Sequence, residues 1–242
     1  MIRLIAPTLI LLTICSISVS NEVDDTDCFT FVRLAYSGTD WYGNGWQVDW
    51  PASDRNFIWQ LSRATNIPVA PREAIVHVRS DEIFDYPFAY MLEVGSLELT
   101  DAEAKNLREY LLRGGFIMID DFHGEREWRR FYRQFKKIFP KREPKDIPIS
   151  HPLFHCFFDI DELIQIPGLA ALFRGRTYER SDGYPVRCRG VTDDHGRLMM
   201  MINFNTDLGD AWEHAAESFY PRKYADTAYQ MGINAVVYSL TH

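Results

Sequence analysis

The sequence has few cysteines and no excess of positive charge, and it lacks the common nucleotide-binding and serine-hydrolase motifs. Four of its 242 residues are cysteine, and no two have the short spacing of a zinc-ligand pair. Lysine and arginine number 26 against 34 aspartate and glutamate, so a net charge of −8 gives no global basic surface for nucleic acid. A P-loop, a dinucleotide-binding glycine motif and a G-x-S-x-G motif are absent. The sequence therefore predicts neither nucleic acid nor nucleotide as a partner.

Apolar residues, in contrast, are plentiful enough for a packed core. Hydrophobic residues make up 46% of the chain and aromatic residues 14%, which argues against disorder. A length of 242 residues suits one α/β domain.

The first 20 residues differ from the rest of the chain. Arg3 is followed by an apolar run over residues 4–14 and by a small-x-small site at residues 18–20. This order is typical of a secretory signal peptide. We therefore predict a signal peptide over 1–20, a single α/β domain over 21–242, and export to the periplasm or the cell exterior. The alternative is an uncleaved N-terminal segment that anchors the protein to the membrane.

Export makes the remaining cysteines informative. Removal of residues 1–20 leaves Cys28, Cys156 and Cys188, which allow at most one intramolecular disulfide and one free thiol. We favour buried, unreactive thiols, and the sequence leaves a disulfide between two of them open.

Strand and helix patterns alternate along the chain. Residues 28–36 read as a strand, and the next helix has Ser53 or Asp54 available as its N-cap. Thr100 with Glu103 predicts a capping box at the start of a second helix. The alternation predicts a mostly parallel sheet with helices on both faces, and an antiparallel hairpin about residues 193–196.

Two acidic segments follow predicted strands and are candidates for a binding site. "DDFHG" contributes Asp120, Asp121 and His123, and "NTDLGD" contributes Asp207 and Asp210. In an open α/β sheet the ligand crevice lies at the carboxyl ends of the strands, and carboxylates with imidazole suit a divalent cation. The alternative is structural: these side chains cap the following helices or accept backbone N–H groups.

A loop rich in tryptophan and glycine is a candidate partner surface. Trp41 and Trp46 lie in "SGTDWYGNGWQVDW" after the first predicted strand. Aromatic side chains between glycines suit a platform for sugars or for a partner's apolar side chains. They suit equally a loop that folds over the edge of the sheet.

The motifs together resemble a known bacterial family. "FVRLAYSG" with "DWP", "LTDAEAKNLREYLLRGGFIMIDDFHG", "SHPLFH" and "NTDLGDAWE" with "GINAVVYSL" are similar to domain of unknown function 4159 over residues 28–242. The resemblance implies a branch of the class I glutamine amidotransferase-like fold, which is a flavodoxin-like, doubly wound α/β sheet. Some members are parts of membrane proteins, which implies a membrane-associated protein assembly as a partner.

The resemblance also implies that amide transfer is lost. Active class I amidotransferases carry a nucleophilic cysteine at the turn that "DDFHG" occupies here, and thiolate chemistry needs that cysteine. We therefore predict an exported, non-catalytic domain that binds a ligand or partner, with catalytic residues unknown. The alternative is a metal-assisted hydrolase acting on envelope carbohydrate or peptide material. No cofactor is expected in the first case, and a divalent metal is expected in the second.

Overall fold

The fold is a mixed seven-stranded sheet covered by helices, seen in a computed structural model that describes residues 28–38 and 44–242. The strands are β1 Val32–Ala35, β2 Ala74–His77, β3 Phe88–Leu92, β4 Phe116–Asp120, β5 Lys145–Asp146, β6 Arg187–Thr192 and β7 Leu198–Phe204. Their order is β2-β1-β3-β4-β7-β6-β5. The pairs from β2 to β7 are parallel, whereas β6 and β5 run antiparallel to their neighbours.

Within residues 28–38 and 44–242, six α-helices flank this sheet. They are α1 Ala52–Ala64, α2 Asp101–Leu112, α3 Gly124–Ile138, α4 Leu169–Phe173, α5 Leu208–Glu213 and α6 Arg222–Thr241. Apolar residues of α1, α5 and α6 form one core cluster with the sheet, and those of α2 and α3 form a second on its other face. This arrangement confirms an α/β flavodoxin-like fold with helices on both faces, and β6 with β7 is the predicted antiparallel hairpin.

Strand β4 shows why a nearly continuous apolar run predicts a central strand. Phe116 and Met118 belong to the core under α1, α5 and α6, whereas Ile117 and Ile119 belong to the core under α2 and α3. Because both faces of the strand are covered, no position in it can be left polar until its carboxyl end. The first polar residue, Asp120, is therefore placed at the edge of the sheet.

Helix α2 begins as its sequence predicts. The side chain of Thr100 accepts a hydrogen bond from the Glu103 N–H, and the Glu103 carboxylate accepts one from the Thr100 N–H. These reciprocal bonds satisfy two N–H groups that have no partner within the helix. The helix ends before Gly114, whose φ of 116° favours glycine.

The predicted N-cap of α1 is wrong. The helix already begins at Ala52, and Ser53 and Asp54 lie buried within its first turn. Their side chains are bonded instead to the guanidinium of Arg33 on β1, with Nη2 donating to Ser53 Oγ over 3.0 Å and Nε donating to Asp54 Oδ2 over 2.8 Å. A buried arginine needs several acceptors, and it takes the oxygens that would otherwise cap the helix.

The described residues also bear on the thiols and on membrane association. Cys28, Cys156 and Cys188 are all free, and Cys188 is buried in β6. The predicted signal peptide over 1–20 lies outside the described residues. Among the residues that are described, no helix combines the length and the apolar character that crossing a membrane requires.

Candidate functional site

Acidic side chains gather at the carboxyl edge of the parallel strands. Asp120 is the last residue of β4, Asp121 follows it, and Asn205 follows β7 directly. Glu93 takes the same position after β3. The ligand crevice of open α/β sheets lies at this edge, which is where the sequence places the candidate site.

The backbone is strained at this edge. The four non-glycine residues with positive φ among the described residues are Asp49 (60°), Glu93 (51°), Asp121 (53°) and Asn205 (63°). Glu93, Asp121 and Asn205 are each the first residue after a parallel strand, and Asp49 lies in the connection that follows β1. Such conformations cost about 1–3 kcal/mol each and collect at functional sites, since the surrounding fold must hold them.

The two acidic segments predicted as neighbours meet through Asp120. Its Oδ2 accepts hydrogen bonds from the backbone N–H of Leu208 (2.8 Å) and Gly209 (3.2 Å), and from the hydroxyl of Tyr90 (3.1 Å). The alternative in which Asp120 accepts backbone N–H groups is thus confirmed. Its other oxygen, Oδ1, is buried without a hydrogen-bond partner among the described residues. Burial raises the pKa of Asp120 to about 7, although its hydrogen bonds lower it.

Asp49, Asp121 and Asp207 form the centre of the crevice. One oxygen from each lies within 4.8 Å of the other two. Burial is the main cause that raises the pKa of each carboxyl, and repulsion from neighbouring carboxylates adds to it. Within the described part of the chain, none of the three forms an ion pair with lysine or arginine, and Asp49 Oδ2 is buried without a hydrogen-bond partner. We call these three residues the carboxylate centre.

Two glycines give the carboxylates room to approach. A Cβ on Gly209 would lie 2.3 Å from Asp49 Oδ2, closer than any real contact of that kind. A Cβ on Gly168 would lie 2.1 Å from Glu179 Oε1 and 2.6 Å from Asp207 Oδ2. Any side chain at either position would displace a carboxylate from the crevice.

His123 lies beside the carboxylate centre and is almost fully buried. Its Nε2 is 3.0 Å from Asp121 Oδ1 and 3.8 Å from Glu179 Oε2. Burial lowers the pKa of His123 below its usual value, so the ring is neutral near pH 7. The nearby Glu179 carboxylate opposes this shift.

The side chain of His123 does not cap α3, although the residue holds the N-cap position. The Gly124 N–H donates instead to Asn205 Oδ1 over 2.9 Å, and the His123 N–H donates to Glu127 Oε2 over 2.7 Å. The cap alternative for this imidazole is therefore wrong, and the ring is left facing the crevice.

The outer part of the crevice combines capping with further acidic groups. Asp207 is the N-cap of α5 and accepts a hydrogen bond from the Asp210 N–H over 2.8 Å, so the structural role predicted for such residues is present. Asp210, Glu213 and His214 form another group of ligand-type atoms within 4.8 Å of one another. This group is half-buried and lies on α5 and the residue after it.

The predicted tryptophan surface is only partly described. Trp41 lies outside the described residues. Trp46 is half-buried, packs against the core under α2 and α3, and its carbonyl accepts a hydrogen bond from Arg33 Nη1 over 3.0 Å. A partner surface formed by these two residues stays a prediction.

Sequence reasoning missed two acidic members of the site. Asp49 lies in the connection after β1, so the rule that pointed to residue 120 could also have found it. Glu179 lies between α4 and β6, in a segment that directly follows a helix and not a strand, and that carries no recognisable motif. Only the tertiary fold brings it to His123.

The arrangement is suited to a cation. Carboxylate oxygens with one imidazole are ligands that divalent metals use. Burial, with repulsion between neighbouring carboxylates, raises the pKa of all three carboxyls of the carboxylate centre.

The chain matches a family that is defined from sequences. No curated protein matches the chain. A family model described as "Domain of unknown function (DUF4159)" matches residues 30–240, which include every strand and all but the last residue of α6. The carboxylate centre and His123 lie within that match, and the chain belongs to the DUF4159 family.

Proposed function

We propose that this protein binds a divalent cation through Asp49, Asp121 and Asp207, and that the cation-loaded crevice binds its ligand or partner. The observation that carries the proposal is the carboxylate centre itself, in which one oxygen from each of the three residues lies within 4.8 Å of the other two. Oxygen-only sites of this kind suit Mg²⁺, Ca²⁺ or Mn²⁺.

Electrostatics supports a bound cation. Two ionised carboxylates about 4–5 Å apart repel each other by roughly 3–4 kcal/mol at an effective dielectric constant near 20. Three such groups favour either protonation or a bound cation. A divalent ion turns these repulsions into attractions and permits all three carboxyls to ionise.

Arg33 does not balance the negative charge of the carboxylate centre. Arg33 lowers the pKa of Asp49, but its guanidinium is bonded to Asp54 and Ser53 and to the carbonyls of Trp46 and Val48. It therefore holds in place the segment that carries Asp49. The charge of the carboxylate centre is left for a ligand to balance.

Calorimetry and thermal melting of the chelator-treated protein test the proposal. We expect Mg²⁺, Ca²⁺ or Mn²⁺ to bind stoichiometrically and to raise the melting temperature, because the cation binds the folded state. Asp49→Asn should weaken binding at least tenfold. Asp161→Asn, which changes an exposed carboxylate in the segment before Gln165, is the matched control and should bind as the parent does. Absence of both heat and a melting shift with all three ions would sink the proposal.

The non-catalytic part of the proposal concerns the turn after β4. Asp121 occupies that sharp turn with positive φ, where an active amidotransferase-like protein would carry its cysteine. Cys188 is buried in β6, and burial raises the pKa of Cys156, which lies two residues after a short 3-10 turn. These positions support a relative of the amidotransferase-like fold that has no thiolate nucleophile at the turn. Failure of the purified protein to release ammonia from glutamine is the expected result, and release of ammonia, whether or not alkylation of its thiols abolishes it, would contradict the proposal.

Asp120 supports a second candidate, a metal-assisted hydrolase of envelope carbohydrate or peptide material. A pKa raised to about 7 and a buried, unpartnered Oδ1 suit a general base that accepts a proton from cation-bound water. Asp120→Asn would then remove turnover of cell-wall fragments while cation affinity stays within about threefold. Cation binding without turnover of either substrate class would leave the non-catalytic function.

Export and a membrane-associated assembly complete the proposed function. Both rest on the N-terminal pattern over residues 1–20 and on the family resemblance. Mass spectrometry of the protein from its native host should give a mature chain beginning near residue 21. An intact residue 1 would favour the anchored alternative.

A further inference from the structure

The geometry points to a second cation position, formed by Asp121, His123 and Glu179, with Asp121 bridging two cations. This inference rests on the proposed cation site and adds a second metal position beside it. One ligand-type atom from each of the three residues lies within 4.8 Å of the other two. Asp121 is also a member of the carboxylate centre, so the two groups share one carboxylate.

The contacts of His123 show that hydrogen bonds alone cannot satisfy the group formed by Asp121, His123 and Glu179. Asp121 and Glu179 both approach the same ring nitrogen, Nε2, at 3.0 and 3.8 Å. That nitrogen carries at most one hydrogen, so it cannot serve two carboxylates at once. A cation that takes the Nε2 lone pair and one oxygen from each carboxylate satisfies all three.

A second observation is independent of the acidic groups. The side chain of His123 is only 5% exposed, and its Nδ1 has no hydrogen-bond partner in the described part of the chain. Among the described residues, the polar contacts of the ring therefore all lie at Nε2, which is the nitrogen that faces Asp121 and Glu179.

Glu179 is held in place by hydrogen bonds of the residues that follow it. Arg180 donates two hydrogen bonds to Glu127 Oε1 on α3, over 3.2 and 2.8 Å. Asp182 Oδ2 accepts the Glu125 N–H over 3.1 Å, and Gln165 Nε2 donates to the Gly183 carbonyl over 2.6 Å. The segment that brings Glu179 to His123 is thus fixed by the body of the fold. The fold therefore fixes the place of Glu179 beside His123.

The chemistry of the two positions differs. The carboxylate centre offers oxygen only, whereas the second position offers two oxygens and an imidazole nitrogen, a set that transition metals accept more readily than Ca²⁺ does. A carboxylate shared by two cations places them in the range of about 3.5–4 Å found in two-metal sites. Mn²⁺ is therefore the probe of choice, because it binds both donor sets and is visible by electron paramagnetic resonance.

The test is a Mn²⁺ titration of the purified full-length protein, read by calorimetry and by electron paramagnetic resonance. The parent should bind two equivalents and give the spectrum of an exchange-coupled Mn²⁺ pair. Glu179→Gln should bind one equivalent, lose at least tenfold in affinity for the other, and show only uncoupled Mn²⁺. Glu162→Gln, an exposed carboxylate outside the crevice, should behave as the parent does.

Further variants keep the outcomes distinct. Asp49→Asn should also leave one equivalent, and Asp121→Asn should lose both. His123→Gln repeats the test of the second position should Glu179→Gln fail to fold. One equivalent in the parent, unchanged by Glu179→Gln, would overturn the second position and leave the first. Two equivalents that Glu179→Gln and His123→Gln both leave intact would also overturn it. No bound Mn²⁺ in the parent would overturn the second position, and no bound Mg²⁺ or Ca²⁺ either would remove the proposed function itself.

Discussion

Two groups of charged side chains lie close together at the carboxyl edge of this sheet, and their charges are balanced in different ways. Arg33 and Asp54 form an ion pair in which both side chains are fully buried, and further acceptors surround the guanidinium. In the carboxylate centre, Asp121 and Asp207 are buried and Asp49 is half-buried, and none of the three forms an ion pair with lysine or arginine among the described residues.

The ion pair of Arg33 and Asp54 stabilises the fold, whereas the charge of the carboxylate centre is available to a ligand. A buried ion pair with satisfied hydrogen bonds ties the connection after β1 to the first turn of α1, and the chain supplies both partners. Buried carboxylates with raised pKa values oppose folding when ionised. We infer that a bound cation, which the chain itself cannot supply, balances the charge of the carboxylate centre.

The largest expected effect comes from breaking the structural pair. Arg33→Met should lower the free energy of unfolding by about 3–5 kcal/mol, because it leaves the Asp54 carboxylate buried without its partner. Urea denaturation at pH 7 measures the change. Asp54→Leu in the same background should recover most of the loss, since it removes the uncompensated charge. A single variant as stable as the parent would show that the pair does not tie β1 to α1.

A smaller effect is expected from pH in the cation-free protein. The pKa of Asp120 is about 7 in the folded state against roughly 3.9 when unfolded, so between these values the folded state binds the extra proton. Stability therefore falls as pH rises, by roughly 2 kcal/mol between pH 5 and 7, and the raised pKa values of the carboxylate centre act in the same direction.

Urea denaturation at pH 5, 6, 7 and 8 with a chelator present measures this dependence. Asp120→Asn should make it shallower, because asparagine keeps an acceptor for the Leu208 N–H and cannot ionise, whereas the carboxylate centre still titrates. A saturating divalent cation should flatten it as well. A parent protein whose stability rises from pH 5 to 7 without cations would contradict the assignment of these buried carboxyls.

The smallest effect should have the opposite sign to that of Arg33→Met. Asp207→Asn removes one of three mutually repelling charges and retains the side-chain oxygen that caps α5. The cation-free variant should gain about 1 kcal/mol at pH 7.5 and lose the stabilisation that added cations give the parent. Thermal melting with and without Mn²⁺ measures both changes.

Asp207→Ala separates charge from capping at the same residue. It also removes the charge but loses the cap, which costs about 1 kcal/mol, so its cation-free stability should lie near that of the parent. Unchanged stability in Asp207→Asn beside a loss in Asp207→Ala, with the cation effect retained in both, would show that Asp207 serves α5 alone.

Local patterns predicted the elements whose side chains meet their partners nearby. The capping box of α2 joins two residues three apart, and the apolar run of β4 reflects burial on both faces, so both were readable in the sequence. The N-cap of α1 was not, because Arg33, 21 residues before Asp54, competes for the same oxygens. A local rule fails where a distant group binds more strongly.

The residues of the candidate site likewise fall into those that local patterns predicted and those that only the tertiary structure brings together. The carboxyl-edge rule predicted Asp120, Asp121, His123, Asp207 and Asp210 from the strands that precede them, and the structure brings the two segments together. Which of these residues bind a ligand is left to the experiments above. Glu179 reaches the crevice only because Arg180, Asp182 and Gly183 are held by other elements.

The sequence by itself determined the α/β class, the alternation of strands with helices, and the placing of acidic residues after two central strands. These features depend on periodicity, capping and burial within short segments. The tertiary structure alone decided which carboxylates face one another, which of them Arg33 neutralises and which are left uncompensated. Charge balance in a crevice depends on distances between segments far apart in the chain, and no local pattern encodes those distances.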